Sequence, residues 1–313
     1  MLSFRDRVLQ EEFDRNGFVV QRMLDAEQLN RARQALAETI SGRQFERNDA
    51  ELVYFNSMFD GDREFRGRYR EAMESILRPS LELLLKGMRV FETSLLYKPS
   101  ESGVLNLHQH VPLTADPFAP TIFCWCALED TDESNGALKV VPGSHLLLRR
   151  MRTLETGEFF EEYREEITRL AVPVRLKAGE GILFENSLLH GAYANVSGGP
   201  RPVVCSIMME ERAVHTVYKL DASGEVAVID DDYSEIQCHT MVPGAPDRPS
   251  GRVLRRLPAW DVKPSFSEFR KLLERGRRAT EDFDPLAELR AERRSRAFYR
   301  MADAILPRIG IGA

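Results

Sequence analysis

His108 and His110 stand two residues apart in a segment, Leu105 to Val111, whose composition predicts a strand. Alternation along a strand sends both imidazoles to the same face. A third histidine, His190, follows the apolar run Gly181-Ile182-Leu183-Phe184. Two imidazoles from one strand and one from a later strand can form a facial metal site inside a β-barrel. Arg201 lies eleven residues beyond His190 and opens another apolar strand. Its planar fork suits a carboxylate gripped by two hydrogen bonds beside the metal. The set points to a mononuclear metalloenzyme that uses oxygen.

These side chains need a rigid scaffold, and the sequence changes period to supply one. From Arg89 onward the apolar pattern has a repeat of two. Val90 to Tyr97, Leu105 to Val111, Thr121 to Leu128, Ala137 to Val141, Val172 to Leu176, Ile182 to Phe184 and Val203 to Met209 read as strands. Asn135-Gly136, Pro142-Gly143, Gly179-Glu180-Gly181 and Gly198-Gly199-Pro200 separate them as turns. Short strands at this spacing predict an antiparallel sandwich or jelly roll.

Helices flank this core. Phe4, Val8 and Phe13 can share one helical face, Gly17 ends that pattern, and Phe18-Val19-Val20 reads as a short strand. Asp25 and Gln28 have capping-box spacing ahead of a stripe at Leu29, Ala32, Leu36 and Ile40. A further helix is expected from about Gly67 to Lys86, stopped by Gly87. Ser265 and Glu268 form another capping box before Phe266, Phe269, Leu272 and Leu273, and Asp284-Pro285 opens a last helix. The expectation is one domain over 1–313: a mainly helical part at 1–88, a jelly-roll core at 89–212 with an insertion at 146–170, an irregular segment at 213–250, and C-terminal helices at 251–313. The insertion, from Leu146 to Arg169, is charged and reads as helical; it and the segment from Ala213 to Pro249, with Asp230-Asp231-Asp232, read as solvated decoration around the barrel mouth.

Composition narrows the class. The chain has 313 residues, a formal net charge of −6, and 43% hydrophobic residues, enough for a large core. A mildly acidic protein has no general attraction for nucleic acid or anionic membranes. The arginines at Arg255-Arg256 and between Arg290 and Arg300 read as solvated helix faces. No apolar run is long enough for a transmembrane helix, and Met1 to Asn16 lacks the apolar stretch of an export signal. The four cysteines (Cys124, Cys126, Cys205 and Cys238) read as small buried residues. Together these features predict a reduced, cytoplasmic setting and small-molecule chemistry, with the oligomeric state open.

Several ordered motifs carry a resemblance. His108-Gln109-His110, Trp125-Cys126-Ala127-Leu128-Glu129-Asp130, Asn135-Gly136, Pro142-Gly143-Ser144-His145 and His190-Gly191, with Asn195, Ser197 and Arg201, resemble the phytanoyl-CoA dioxygenase family across Lys98 to Met209. The resemblance implies a double-stranded β-helix, Fe(II), 2-oxoglutarate and O₂. It implies that His108 and His190 bind iron, that Arg201 pairs with the distal carboxylate of 2-oxoglutarate, and that Trp125 and Gln109 line the cosubstrate site. Gln109 alternates away from its flanking histidines, so a structural place for it stays open.

Two positions depart from the family pattern. The family has His-x-Asp where this chain has His108-Gln109-His110, and a small hydroxyl residue where this chain has Ala192. With His110 as the third ligand, the triad is neutral and metal identity is less constrained. If His110 does not ligate, Asp116, Glu185 or water completes the shell. Three functions follow: a 2-oxoglutarate-dependent oxygenase, a three-histidine dioxygenase that binds substrate directly, and an inactive barrel that serves as a binding module. The substrate is open; Tyr54, Asn56, Tyr163, Tyr193 and His215 are candidates for lining its pocket.

Overall fold

The computed structural model describes residues 3–43, 45, 53–147, 153, 155–156, 158–230, 251–258 and 263–276. The expected last helix from Asp284, the arginines beyond Arg290, and Cys238 lie outside these residues. No helix among the described residues is long and apolar enough to cross a membrane.

The chain opens with α1 (Arg7–Asn16), β1 (Phe18–Arg22) and α2 (Ala26–Ile40). Asp25 caps α2 with the full capping box to Gln28. Gly17 closes α1 in the left-handed region, at φ 82°, donating its N–H to the Phe13 carbonyl. Phe4 precedes α1, whose cap is Asp6, so the stripe shared by Phe4, Val8 and Phe13 does not form: Val8 is 71% exposed while Phe4 and Phe13 pack ring on ring. After β2 (Phe55–Asn56), α3 (Arg63–Leu84) starts four residues earlier than its expected position because Asp62 accepts the Phe65 N–H.

The barrel strands follow: β3 (Met88–Lys98), β4 (Leu105–His108), β5 (Thr121–Ala127), β6 (Leu138–Val140), β7 (Val172–Val174), β8 (Glu180–Glu185), β9 (His190–Ala192) and β10 (Arg201–Glu210). A six-stranded sheet in the order β1-β8-β5-β10-β3-β2 faces a four-stranded sheet in the order β4-β9-β6-β7, all pairs antiparallel. This is a jelly roll, as the strand spacing predicts, and the double-stranded β-helix that the family resemblance implies. Inward residues of both sheets form one core: Phe123, Trp125, Ala127, Val203, Cys205 and Ile207 meet Leu138, Val140, Val174 and Ala192. The opposite face of the larger sheet, with Cys124, Cys126, Val204 and Met208, packs on Phe13, Leu36, Phe65, Tyr69, Met73 and Leu77 of the helices. Period-two alternation on β5 and β10 therefore feeds two cores at once.

Three expectations differ from the structure. The 146–170 insertion is not one helix: among its described residues, helix is limited to short turns at Ser144–Leu146 and Glu161–Tyr163 and to α4 (Arg164–Thr168). Nor is it solvated decoration, since Phe160, Tyr163 and Ile167 are buried. The segment expected to be irregular holds β11 (Val217–Leu220) and β12 (Glu225–Asp230), joined by a turn in which Asp221 caps Ser223 and Glu225 and Gly224 has φ 82°. The C-terminal part begins with β13 (Arg252–Pro258), which pairs with β12, so Arg255 and Arg256 lie on a strand and not on a helix face. The expected helix at Ser265 is present as α5 (Phe266–Gly276), with Ser265 and Glu268 bonded to one another.

Candidate active site

His108, the last residue of β4, is the register partner of His190, the first residue of β9. Their ring centroids are 4.3 Å apart. The strand expected to reach Val111 ends at His108, yet the chain carries His110 to within 4.5 Å of the His190 ring and 5.4 Å of the His108 ring, centroid to centroid. One ligand atom from each of the three lies within 4.8 Å of the others. Among the described residues this group includes neither Asp116 nor Glu185. Asp116 accepts the Phe118 N–H, and Glu185 accepts from the backbone and hydroxyl of Ser187.

Backbone carbonyls orient two of the rings. His108 Nδ1 is 3.0 Å from the Asn106 oxygen and His190 Nδ1 is 2.8 Å from the Leu188 oxygen. A carbonyl only accepts, so each Nδ1 carries the hydrogen and each Nε2 bears the lone pair that a metal would take. His110 is held by an aromatic wall, with its ring centroid 4.2 Å from Phe123 and 6.2 Å from Phe184.

Arg201 is 4% exposed and its guanidinium lies over the Trp125 ring, 4.7 Å from the centroid. Its Nε and Nη1 have no hydrogen-bond partner among the described residues. Burial pushes this guanidinium down to about 9, and Tyr54 opposes the shift. A buried cation without a partner is costly, so the arrangement is set up for an anion. Phe123 and Trp125 are successive inward residues of β5, about 7 Å apart along the strand. The imidazoles and the guanidinium are thus placed over neighbouring positions of one strand, a separation that a short dicarboxylate can bridge.

Register brings in Tyr54. Phe55 pairs with Tyr97 and Asn56 with Leu96 on β3, while Lys98 pairs with Arg201 on β10. Continuing the alternation by one residue puts Tyr54 in the row of Lys98 and Arg201. Burial raises the Tyr54 hydroxyl to about 12, and the positive charge of Arg201 opposes that rise. The signal for Tyr54 in the sequence was only its aromatic type, because its row exists only once β2 pairs with β3. The other pocket candidates divide. His215 stacks on Phe91 at 4.6 Å and bridges to Thr114, four residues after His110. Asn56 caps a short helical turn, Tyr163 binds the Pro264 carbonyl at 2.5 Å, and Tyr193 lies under Lys139. Gln109 is buried between the two histidines, and its backbone N–H faces the Glu158 carboxylate at 3.4 Å. Ala192, buried, packs in the barrel core and offers no hydroxyl.

A jelly roll with three convergent imidazoles and a buried arginine at its interior defines a class by fold, the double-stranded β-helix proteins, here with a candidate metal site. The sequence matches the phytanoyl-CoA dioxygenase (PhyH) family over residues 13–203, more than half of its length, and the chain belongs to that family. It is 29% identical over 136 residues to phytanoyl-CoA dioxygenase domain-containing protein 1 of Danio rerio, a match covering 41% of this chain and 45% of the relative. Phytanoyl-CoA dioxygenase 1 of Oryza sativa subsp. japonica is 31% identical over 127 residues, covering 39% and 43%. The chain thus spans under half the length of these curated relatives. Among solved structures, the carbocyclase SnoK from nogalamycin biosynthesis superimposes with a TM-score of 0.50 at 22% identity, covering 67% of this chain and 86% of that one. The epimerase SnoN from the same biosynthesis also gives 0.50, at 20% identity, covering 83% and 98%. Both neighbours are described as non-haem, α-ketoglutarate-dependent enzymes, and at these identities the likeness concerns the fold.

Proposed function

We propose that this chain is a non-haem Fe(II), 2-oxoglutarate-dependent oxygenase acting on a small molecule. The carrying observation is the pairing of three convergent imidazoles with a buried guanidinium that has nitrogens free for an acid. When bound, Fe(II) and the keto acid supply the oxidising chemistry: O₂ is consumed, succinate and CO₂ leave, and a substrate C–H is hydroxylated, desaturated or used in ring closure.

The donor set fits the metal. His108, His110 and His190 would hold it through neutral nitrogens, which suit late first-row divalent ions. Arg201 would grip the distal carboxylate of 2-oxoglutarate, with Trp125 as the flat wall beneath and Tyr54 adding a hydroxyl donor. Gln109 follows the end of β4 and meets Glu158 through its backbone N–H, which supports a structural place for it beside the metal ligands and not a direct cosubstrate contact. Phe123, Phe184 and the apolar residues between the sheets keep water from the site. His215, Phe91 and the turn at Thr114 stand next to the stretch that carries His110, where a substrate would enter.

The inclusion of His110 in the cluster favours a second reading: a three-histidine dioxygenase in which Arg201 holds a carboxylate of the substrate itself. One experiment separates the two. Anaerobic addition of 2-oxoglutarate to the Fe(II)-loaded protein is expected to give a weak visible charge-transfer band, and air is expected to release succinate. Oxygen uptake with a substrate in the absence of any keto acid supports the second reading. Protein that takes up no metal defeats both.

A further inference from the structure

β4 is an end strand of its sheet, with β9 on one side only. The backbone groups that flank His108, the Leu107 carbonyl and the Gln109 N–H, take bonds from outside β9. No strand among the described residues meets them. Two side chains of the insertion do. Arg164 Nη1 donates to the Leu107 oxygen at 2.9 Å, and Glu158 Oε1 accepts the Gln109 N–H at 3.4 Å. These bonds flank His108 on both sides and stand where a neighbouring strand would.

The clamp is itself anchored. Arg164 Nη2 binds Glu161 at 2.6 Å, and its guanidinium lies 5.2 Å from the centre of the Phe160 ring. Below it, Phe160, Tyr163 and Ile167 pack with Phe269, Leu272 and Leu273 of α5. The same cluster takes in Leu107 and Leu189, each the residue immediately before a histidine of the triad. The outer face of the histidine-bearing strands is therefore covered by a core of its own, made of the insertion and α5.

We propose that Arg164 is a positioning residue of the metal site: its bond to the Leu107 carbonyl, with that of Glu158 to Gln109, fixes the edge of β4 and hence the direction of the His108 ring. This rests on the three-histidine metal reading. His108 is the last paired residue of β4 and His110 lies beyond it, so edge bonds at Leu107 and Gln109 bear on both ligands. Groups that orient metal ligands from behind commonly change affinity by about 10–100-fold when removed.

The test uses the full chain and Co(II), whose visible bands report ligand geometry. Wild type, Arg164→Ala, Arg164→Lys and, as a control, Arg169→Ala at the end of the same short helix are titrated with Co(II) and melted in parallel. Arg164→Ala is expected to weaken Co(II) by at least about 10-fold and to shift the bands. Lysine reaches one acceptor but cannot bridge to Glu161, so Arg164→Lys is expected to fall between the two; it carries the test should the alanine variant not fold. Arg169→Ala is expected to match wild type. A folded Arg164 variant with wild-type affinity and bands, whatever its melting temperature, overturns the proposal. Wild type that binds no Co(II) overturns the metal reading first, and this inference with it, so the two failures are told apart.

Discussion

His108 and His190 face one another across β4 and β9 as register partners, each with Nδ1 on the carbonyl two residues earlier in its own strand or turn. The pairing makes the site a property of strand register, since a slip of one residue would turn one ring out of the barrel.

The first prediction concerns these ligands. His190→Ala is expected to abolish stoichiometric iron in protein prepared without oxygen, as measured by metal analysis. His110→Asp is expected to keep the metal, because a carboxylate at that position still donates one atom, and to bind it with one unit less positive charge on the assembly. Retention of iron at wild-type stoichiometry in His190→Ala would remove the basis of the site.

Arg201 gives a prediction with two opposed signs. Its guanidinium is buried over Trp125, with Nε and Nη1 unbonded among the described residues. Removing it costs the acid its partner, for which truncation of a buried charge pair suggests about 2–5 kcal/mol. The same change relieves the acid-free protein of a desolvated cation. Arg201→Met is therefore expected to weaken 2-oxoglutarate by about 30-fold or more and to leave the melting temperature of the acid-free protein equal or higher. Calorimetry and a thermal melt read the two arms; a variant that loses stability and keeps its acid affinity contradicts the assignment.

Much of the fold was open to reading from the sequence, because short apolar strands are separated by turn residues; His108 and His190 fall on such strands, while His110 lies just past the end of β4. Arg201 stood out for opening an apolar strand after a Gly-Gly-Pro turn. What escaped was non-local. β12 is completed by β13, from Arg252 on, and an arginine-rich strand shows no alternation of its own to betray it. The insertion's run of glutamates suggested a long helix, but burial of Phe160, Tyr163 and Ile167 against α5 decides its path. Tyr54 joins Arg201 only through pairing across β2, β3 and β10.

Alkaline stability supplies a third prediction. Burial raises the thiols of Cys126 and Cys205 from 9.0 to about 12 and raises Cys124 as well. It raises the hydroxyls of Tyr54 and Tyr218 from 10.0 to about 12. A group whose folded value is raised keeps its proton when the unfolded chain has lost it, so stability is full below about pH 9 and falls as pH climbs towards about 12. Arg201 and Lys139, both pushed down by burial, act in the opposite sense but are outnumbered by the raised groups, which also include Tyr69, Tyr97 and Tyr163. The urea midpoint is expected to be lower at about pH 10.5 than at about pH 8. The three thiols are expected to resist a disulfide reagent at about pH 8 until the protein unfolds. An unchanged midpoint would show that these groups are less buried than described.

Gly191 carries the last prediction. It sits between His190 and Ala192 on β9, and a Cβ there would come 2.6 Å from the Leu105 oxygen and 3.0 Å from the Asn106 oxygen. Both contacts are backbone, so no side chain can swing away; β4 itself would have to retreat. That movement separates the two strands where His108 and His190 meet, and it disturbs Asn106, whose carbonyl orients His108. Gly191→Ala is expected to cost about 1–3 kcal/mol of stability and, unlike an overpacking change elsewhere in the barrel, to weaken metal binding by about 10-fold or more. Gly181→Ala is the matched comparison, because its Cβ would meet the flexible Met23 side chain at 2.6 Å, on the helical side of the larger sheet. Equal losses of metal affinity in the two variants would mean that general loosening, and not the spacing of β4 from β9, governs the site.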